Sequence, residues 1–110
     1  MNYTYLGNAS IQIAPSQGVS SLTSGNSDWT QWGRTESLVE VSGNFDGATL
    51  TIYARHKDRP SAEVQVTYSD GVVISLTSSR IFYMKLPSNY EVQFRTTGGG
   101  ASQSINVYYN

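Results

Sequence analysis

The chain contains a single histidine, His56, and histidine is the side chain that most often acts as a general base near neutral pH. A serine hydrolase would need a serine nucleophile beside this base and a carboxylate to orient it. The sequence offers only Asp58 as a nearby carboxylate, and it contains no Gly-x-Ser-x-Gly motif. We therefore expect His56 to lie in an exposed loop without a catalytic role.

The eight carboxylates of the chain are too scattered to form a paired acid–base site of the glycosidase type. We expect the glutamates to face solvent on strands and the aspartates to serve in turns. No calcium-loop spacing is present, and the absence of cysteine excludes a thiolate metal site. The glycines at 98–100 lack the Lys-Ser/Thr of a phosphate-binding loop. The sequence thus predicts no catalytic residue, no metal site and no cofactor, and we expect a protein that is not an enzyme.

Aromatic side chains are the feature of the sequence that best fits a binding function. Eight tyrosines and two tryptophans occur among few charged residues, and such rings bury a large area while keeping a polar atom exposed. Trp29 and Trp32 could anchor a protein partner, stack on a sugar or fill one end of the core, and these alternatives stay open at this point. The residues that we expect to bind a partner are Trp29, Trp32, Leu22, Tyr3, Tyr5, Tyr108 and Tyr109.

The elements that position these side chains are predicted to be β-strands. Apolar residues alternate with polar ones in short runs, as at Leu50, Ile52 and Ala54 with Thr51 and Tyr53 between them, which is typical of half-exposed antiparallel strands. About eight such runs occur. Because so many short strands bury their apolar faces by packing as two sheets, the predicted fold is an all-β, antiparallel two-sheet β-sandwich. Jelly-roll and immunoglobulin-like connections both stay open.

Turn residues separate the predicted strands. Asp70 and Gly71 favour a tight hairpin turn, and residues 44–47 favour a slightly longer one. Residues 15–34 form the exception, a mostly polar stretch that we expect to be a long loop, either a binding loop or a mobile crossover between the sheets. The length of 110 residues fits a single domain over residues 1–110.

The composition excludes several classes of partner. Charged residues make up 14% of the chain and the net charge is −1, so no basic surface is expected to bind nucleic acid or an anionic membrane. No stretch approaches the ~18 apolar residues of a membrane span, and residues 1–7 lack the pattern of a signal peptide. We therefore expect neither a transmembrane segment nor a signal peptide. The thin core of so small a domain favours association of subunits.

Residues 41–54, with the sequence VSGNFDGATLTIYA, resemble a recurrent pattern in small structural proteins of tailed bacteriophages. In that pattern a glycine-containing hairpin leads into Gly-Ala-Thr-aliphatic-Thr-aliphatic. The resemblance continues through residues 86–87 and 90–95 to the glycine loop and residues 104–109, about the C-terminal two-thirds of the chain. The N-terminal third, with both tryptophans, departs from the pattern.

The resemblance implies a non-enzymatic virion structural protein, first of all a capsid decoration or cement protein that binds and stabilises the assembled shell. Its implied partners are the major capsid protein or other virion proteins, together with further copies of the chain in a homo-oligomer, with a trimer favoured. Its implied place is the capsid surface, after synthesis in the host cytoplasm. Two alternatives stay open: a phage tail or neck component, and a carbohydrate-binding β-sandwich module that recognises a glycan.

Overall fold

The computed structural model describes residues 18–32 and 36–109, with the backbone alone for residues 18–21 and 36. This part of the chain forms nine strands. They are β1 (Gly18–Leu22), β2 (Thr30–Trp32), β3 (Glu36–Asn44), β4 (Thr49–His56), β5 (Val64–Gln65), β6 (Ser75–Leu76), β7 (Arg80–Lys85), β8 (Tyr90–Thr97) and β9 (Ser104–Tyr109). The described residues contain no helix of the length and apolarity that a membrane span requires.

The strands form two antiparallel sheets, which confirms the predicted all-β sandwich. The four-stranded sheet has the order β1-β9-β3-β7, and the five-stranded sheet has the order β2-β8-β4-β5 with β6 also paired to β4. Because β5 and β6 pair with successive parts of β4 in the same direction, they act as one interrupted strand. When β5 and β6 are counted together as the fifth strand, β7, β8 and β9 become the sixth, seventh and eighth strands. In this count the two sheets have the strand orders 1-8-3-6 and 2-7-4-5. This order is that of a jelly roll, built from two Greek keys.

A hairpin over residues 66–74 separates β5 from β6. Its turn is the predicted one: the Gly71 N–H donates to the Tyr68 carbonyl (2.9 Å), and the Val72 N–H donates to Asp70 Oδ1 (3.0 Å). Gly71 has a φ of +87°, a conformation that glycine adopts without a steric cost. Val64 lies opposite the buried Ala54, but its side chain is exposed because β5 is a two-residue strand at the edge of the sheet.

The core lies between the two sheets and is built from alternate residues of the central strands. In β4, Leu50, Ile52 and Ala54 are fully buried, and the residues between them face outward. The buried apolar side chains of the described residues are Leu22, Trp32, Val39, Val41, Phe45, Ala48, Leu50, Ile52, Ala54, Val66, Ile74, Leu76, Phe82, Met84, Val92, Phe94, Ile105 and Val107. Because the core holds every second residue of a strand, the remaining residues form fixed outward-facing rows.

The polar segment at residues 15–34 differs from the long loop expected from its composition. In its described part, β1 and β2 pair as edge strands with β9 and β8. Between them, the Ser27 N–H donates to the Phe94 carbonyl (2.8 Å) and the Ser27 Oγ accepts from the Phe94 N–H (2.9 Å). The Gly25 carbonyl accepts from both the N–H and the hydroxyl of Thr96. Polar sequences suit this position because edge strands are exposed to water along one side.

Candidate functional site

Four side chains form an alternating row of guanidinium groups and aromatic rings on the outer face of the five-stranded sheet, in the order Arg55, Trp29, Arg95, Tyr53. The guanidinium carbon of Arg55 lies 4.0 Å from the centre of the Trp29 ring. That of Arg95 lies 5.9 Å from the Trp29 ring centre and 3.8 Å from the Tyr53 ring centre. Each cation is attracted by the electron-rich face of its ring. We call these four residues the arginine–aromatic row.

The register of the sheet brings the row together. Tyr53 and Arg55 are two residues apart on β4, so their side chains leave the same face of the sheet. Arg95 on β8 lies opposite Thr51 of β4, which places it diagonally across from Tyr53. Trp29 directly precedes β2, and the backbone hydrogen bonds around Ser27 fix this part of the chain against β8. The row therefore joins β4, β8 and the segment that leads into β2.

Each arginine of the row is paired with a carboxylate. The Nε of Arg55 donates to Glu91 Oε1 at 2.8 Å, and the two residues are neighbours across β4 and β8. The Nη2 of Arg95 donates to Glu63 Oε1 at 2.6 Å, and its Nε donates to Gln93 Oε1 at 2.7 Å. Two cations and two carboxylates leave this surface without a net charge.

The outer face of the four-stranded sheet carries a second surface of different chemistry. Ile81 and Tyr83, alternate residues of β7, are 47% and 50% exposed. Leu38 lies opposite Tyr83, and Glu40 lies between Ile81 and Tyr108 of the neighbouring strands. Leu38, Glu40 and Tyr108 are half-buried. We call Leu38, Ile81, Tyr83 and Tyr108 the apolar patch, and Glu40 is the carboxylate within it.

A pocket adjoins the apolar patch where the inserted hairpin meets β7. Its lining residues are Thr67, Tyr68, Ser69, Tyr83 and Lys85. The hydroxyl of Tyr68 is buried, and it finds no hydrogen-bond partner within residues 18–32 and 36–109. Because Tyr83 belongs to both features, the pocket and the apolar patch form one continuous surface.

Two of the residues expected to contact a partner lie in the core instead. Trp32 is 0% exposed and its ring centre lies 4.8 Å from that of Tyr109, and Leu22 is also buried. Trp32 ends β2 and Leu22 ends β1, and both edge strands turn these side chains inward over the core. Both residues are therefore core residues in this structure, where neither side chain is exposed to a partner. Of the three alternatives for Trp32, the one in which it fills the core is the correct one.

The other residues that were expected to bind a partner lie in different parts of the molecule. Trp29 is partly exposed in the arginine–aromatic row, and Tyr108 is half-buried in the apolar patch. Tyr109 is turned inward and packs against the core. Tyr3 and Tyr5 lie outside the described residues. The structure thus places Trp29 and Tyr108 on opposite faces of the sandwich.

His56 is the last residue of β4 and takes part in a local turn. Its Nδ1 accepts a hydrogen bond from the Asp58 N–H at 3.1 Å, and its ring lies edge-on to Tyr90 with 5.4 Å between the ring centres. The imidazole is half-buried, and not exposed as expected, because it packs against Tyr90. In the part of the chain that the structure describes, no three His, Cys, Asp or Glu side chains gather as a metal site.

Sequence reasoning missed Tyr53, Arg55 and Arg95 as residues of a shared surface. The available signal was the alternation of long polar and aromatic side chains with core residues in two runs, residues 51–55 and 91–95. That signal becomes informative only when β4 is known to pair with β8, because the row is formed across strands.

Comparison of the chain with protein-family models, with curated proteins and with solved structures gives no match. The resemblance to small structural proteins of tailed bacteriophages therefore stays a prediction. Function is inferred from the two surfaces of the described residues.

Proposed function

We propose that this protein is a non-enzymatic virion structural protein, and specifically a capsid decoration protein that binds and stabilises the assembled shell. The observation that carries the proposal is the apolar patch with its adjoining pocket. Continuous exposed apolar surfaces on small proteins mark sites of protein–protein contact. Glu40 forms no ion pair within the described residues. A shell protein that places a basic side chain against Glu40 and a polar one in the pocket would match this surface.

The free energy gained by burying the apolar patch is sufficient for a contact that is repeated at many equivalent sites of a shell. Burying the exposed halves of Ile81 and Tyr83 would stabilise a complex by about 1 kcal/mol each. A chain that binds only the assembled shell stabilises it by about 2.7 kcal/mol per site when its free concentration is about a hundred times Kd. Shell stabilisation of this kind needs a buried interface at many equivalent sites and no chemical step.

The fold supports the same proposal by analogy. Jelly rolls are common in viral capsid domains and in lectins, although a fold alone does not fix a function. Residues 41–54, which carry the resemblance to phage structural proteins, form the end of β3, a hairpin and most of β4. In this proposal the chain is made in the host cytoplasm and its final place is the capsid surface.

The charges of β7 bear on the proposed oligomer. This strand lies at the edge of the four-stranded sheet and has Arg80 and Lys85 at its two ends. If two copies paired through β7 about a two-fold axis, Arg80 of each copy would face Lys85 of the other, and like charges directly opposite each other are destabilising. This repulsion disfavours a dimer joined through β7 in that register, so the proposed homo-oligomer, with a trimer as its expected form, would use other surfaces. The mass of the oligomer in solution, measured by light scattering, tests this point.

A sedimentation experiment tests the decoration proposal. The purified chain is mixed with virion shells that lack it, and the bound fraction is measured as a function of concentration. We expect saturable binding that Ile81→Asp weakens about tenfold or more. The matched control is Val64→Asp, because Val64 is 57% exposed on the other sheet, and this variant is expected to bind normally. Equal binding by a folded Ile81→Asp variant would exclude the patch as the anchor, and no binding by the wild type would overturn the proposal.

The tail or neck alternative uses the same patch and differs in the number of copies. A decoration protein occupies many equivalent positions on the shell, whereas a neck or tail component occupies few. The saturation stoichiometry in the same experiment separates them. Saturation at a few copies per particle would move the protein from the shell to the neck or tail.

A further inference from the structure

The geometry points to a second binding site, on the opposite side of the sandwich from the apolar patch. We infer that the arginine–aromatic row binds an uncharged saccharide. This site lies on a different surface from the proposed capsid contact, so a test of one site does not decide the other.

The row offers a rigid surface against which a sugar ring can lie. Trp29 and Tyr53 are both partly exposed, and each ring is held in place by a guanidinium group at 4.0 and 3.8 Å. The guanidinium groups cover the ring faces that they contact, so a ligand meets the parts of the rings and guanidinium groups that stay exposed. The apolar C–H groups of a pyranose can pack against these parts. Trp and Tyr provide such contact area at a low cost in conformational entropy.

The polar atoms around the row match the hydroxyl groups of a sugar. Arg55 donates through Nε and Nη1, and Arg95 donates through Nε and Nη2. Among the contacts of the described residues, Glu91 and Glu63 each accept through Oε1. Within the described residues, this leaves one amino group of each guanidinium and one oxygen of each carboxylate for a ligand. A hydroxyl group both donates and accepts, so neighbouring donors and acceptors of this kind bind vicinal hydroxyls.

The charge balance of the row selects against charged ligands. The two guanidinium groups are each paired with a carboxylate, at 2.8 and 2.6 Å. A phosphate, sulfate or carboxylate ligand would have to displace Glu91 or Glu63 from its arginine, or lie against it at a cost in repulsion. A cationic ligand would have to displace an arginine from its carboxylate, or lie against that arginine at a cost in repulsion. An uncharged saccharide avoids both costs.

The ion pairs also prepare the site before a ligand arrives. Arg95 is fixed by Glu63, by Gln93 and by the Tyr53 ring, so little side-chain freedom remains to be lost on binding. Gln93 is in turn fixed, because its Nε2 donates to the Ser27 carbonyl at 3.0 Å. Pre-organisation of this kind reduces the entropic cost of association.

Calorimetric titration of the full chain tests the inference. The probes are short soluble oligosaccharides of glucose, xylose, galactose and mannose, with sulfated and sialylated oligosaccharides as charged comparators. We expect at least one neutral probe to bind saturably and the charged comparators to bind more weakly. Trp29→Ala is expected to lower the affinity for the neutral probe about tenfold or more. Saturable binding to none of the neutral probes would overturn the inference.

Two further variants locate the site and separate it from the capsid contact. Ile81→Asp changes only the opposite face, so it is expected to keep full saccharide affinity while it loses shell binding. Glu91→Gln keeps the shape of the side chain but alters the acceptor beside Arg55, and we expect it to weaken saccharide binding several-fold while the circular dichroism spectrum stays unchanged. Loss of saccharide affinity in Ile81→Asp, or full affinity in Trp29→Ala, would show that the sugar binds elsewhere.

Discussion

Replacing Trp32 and Trp29 by alanine, one at a time, separates a tryptophan that holds the fold from one that shapes a surface. Trp32 is fully buried beside Tyr109, and truncation of a buried tryptophan costs about 3–5 kcal/mol. The total free energy of unfolding of a domain of this kind is about 5–15 kcal/mol. Trp32→Ala is therefore expected to remove a large share of the stability.

Trp29→Ala is expected to have a smaller effect on the fold. Its indole is partly exposed, and it stacks with guanidinium groups whose carbons lie 4.0 and 5.9 Å from the ring centre. Such contacts stabilise exposed sites by about 0.5–1 kcal/mol each. The expected cost is thus about 1–2 kcal/mol. The two alanine variants should differ by about 2–3 kcal/mol, with Trp32→Ala the less stable.

Urea unfolding followed by far-ultraviolet circular dichroism measures this difference without relying on tryptophan fluorescence. With a slope of about 1–3 kcal/mol per molar urea, the two midpoints should lie about 1 M apart. Trp32→Phe is the matched control. It keeps a ring in the core and removes an indole N–H that has no hydrogen-bond partner among the described residues, so it should cost less than Trp32→Ala. Equal midpoints for Trp29→Ala and Trp32→Ala would refute the assignment.

Three further predictions concern single contacts. Gly43→Ala is expected to lower the free energy of unfolding by about 2 kcal/mol or more, because Gly43 has a φ of +125° and a Cβ there would clash with the Ser104 carbonyl; an unchanged urea midpoint would contradict this. Ser27→Ala removes the hydroxyl that accepts from the buried Phe94 N–H and is expected to cost about 1–3 kcal/mol in the same assay, whereas a neutral effect would mean that this N–H finds another acceptor. Glu91→Gln removes an ion pair and is expected to cost about 0.5 kcal/mol at low salt and less at high salt, so a salt-independent loss would exclude the ion pair as its cause.

The sequence was sufficient to predict the fold class because its long central strands alternate cleanly. Leu50, Ile52 and Ala54 are buried as the period-two pattern requires. The hairpin at Asp70 and Gly71 was predictable for a chemical reason, since glycine accepts the positive φ of the turn and the aspartate accepts a backbone hydrogen bond. These features are local, so neighbouring residues alone determine them.

The features that depend on strand pairing were not predictable from the sequence. The choice of a jelly roll rests on β9 lying between β1 and β3, a long-range pairing without a local signal. The two tryptophans are only three residues apart, yet Trp32 lies in the core and Trp29 on the surface because β2 begins between them. The arginine–aromatic row needs the register of β4 on β8, which places Arg55 opposite Glu91.

The proposed function places this chain in a virion, so the measurement that tests the central claim most directly is quantitative mass spectrometry of virions purified from the source of the chain. Copies of the chain are counted against copies of the major capsid protein. The proposed decoration function predicts a number on the order of hundreds per particle, in fixed proportion to the symmetric positions of the shell. The complete absence of the chain from purified virions would contradict the proposal.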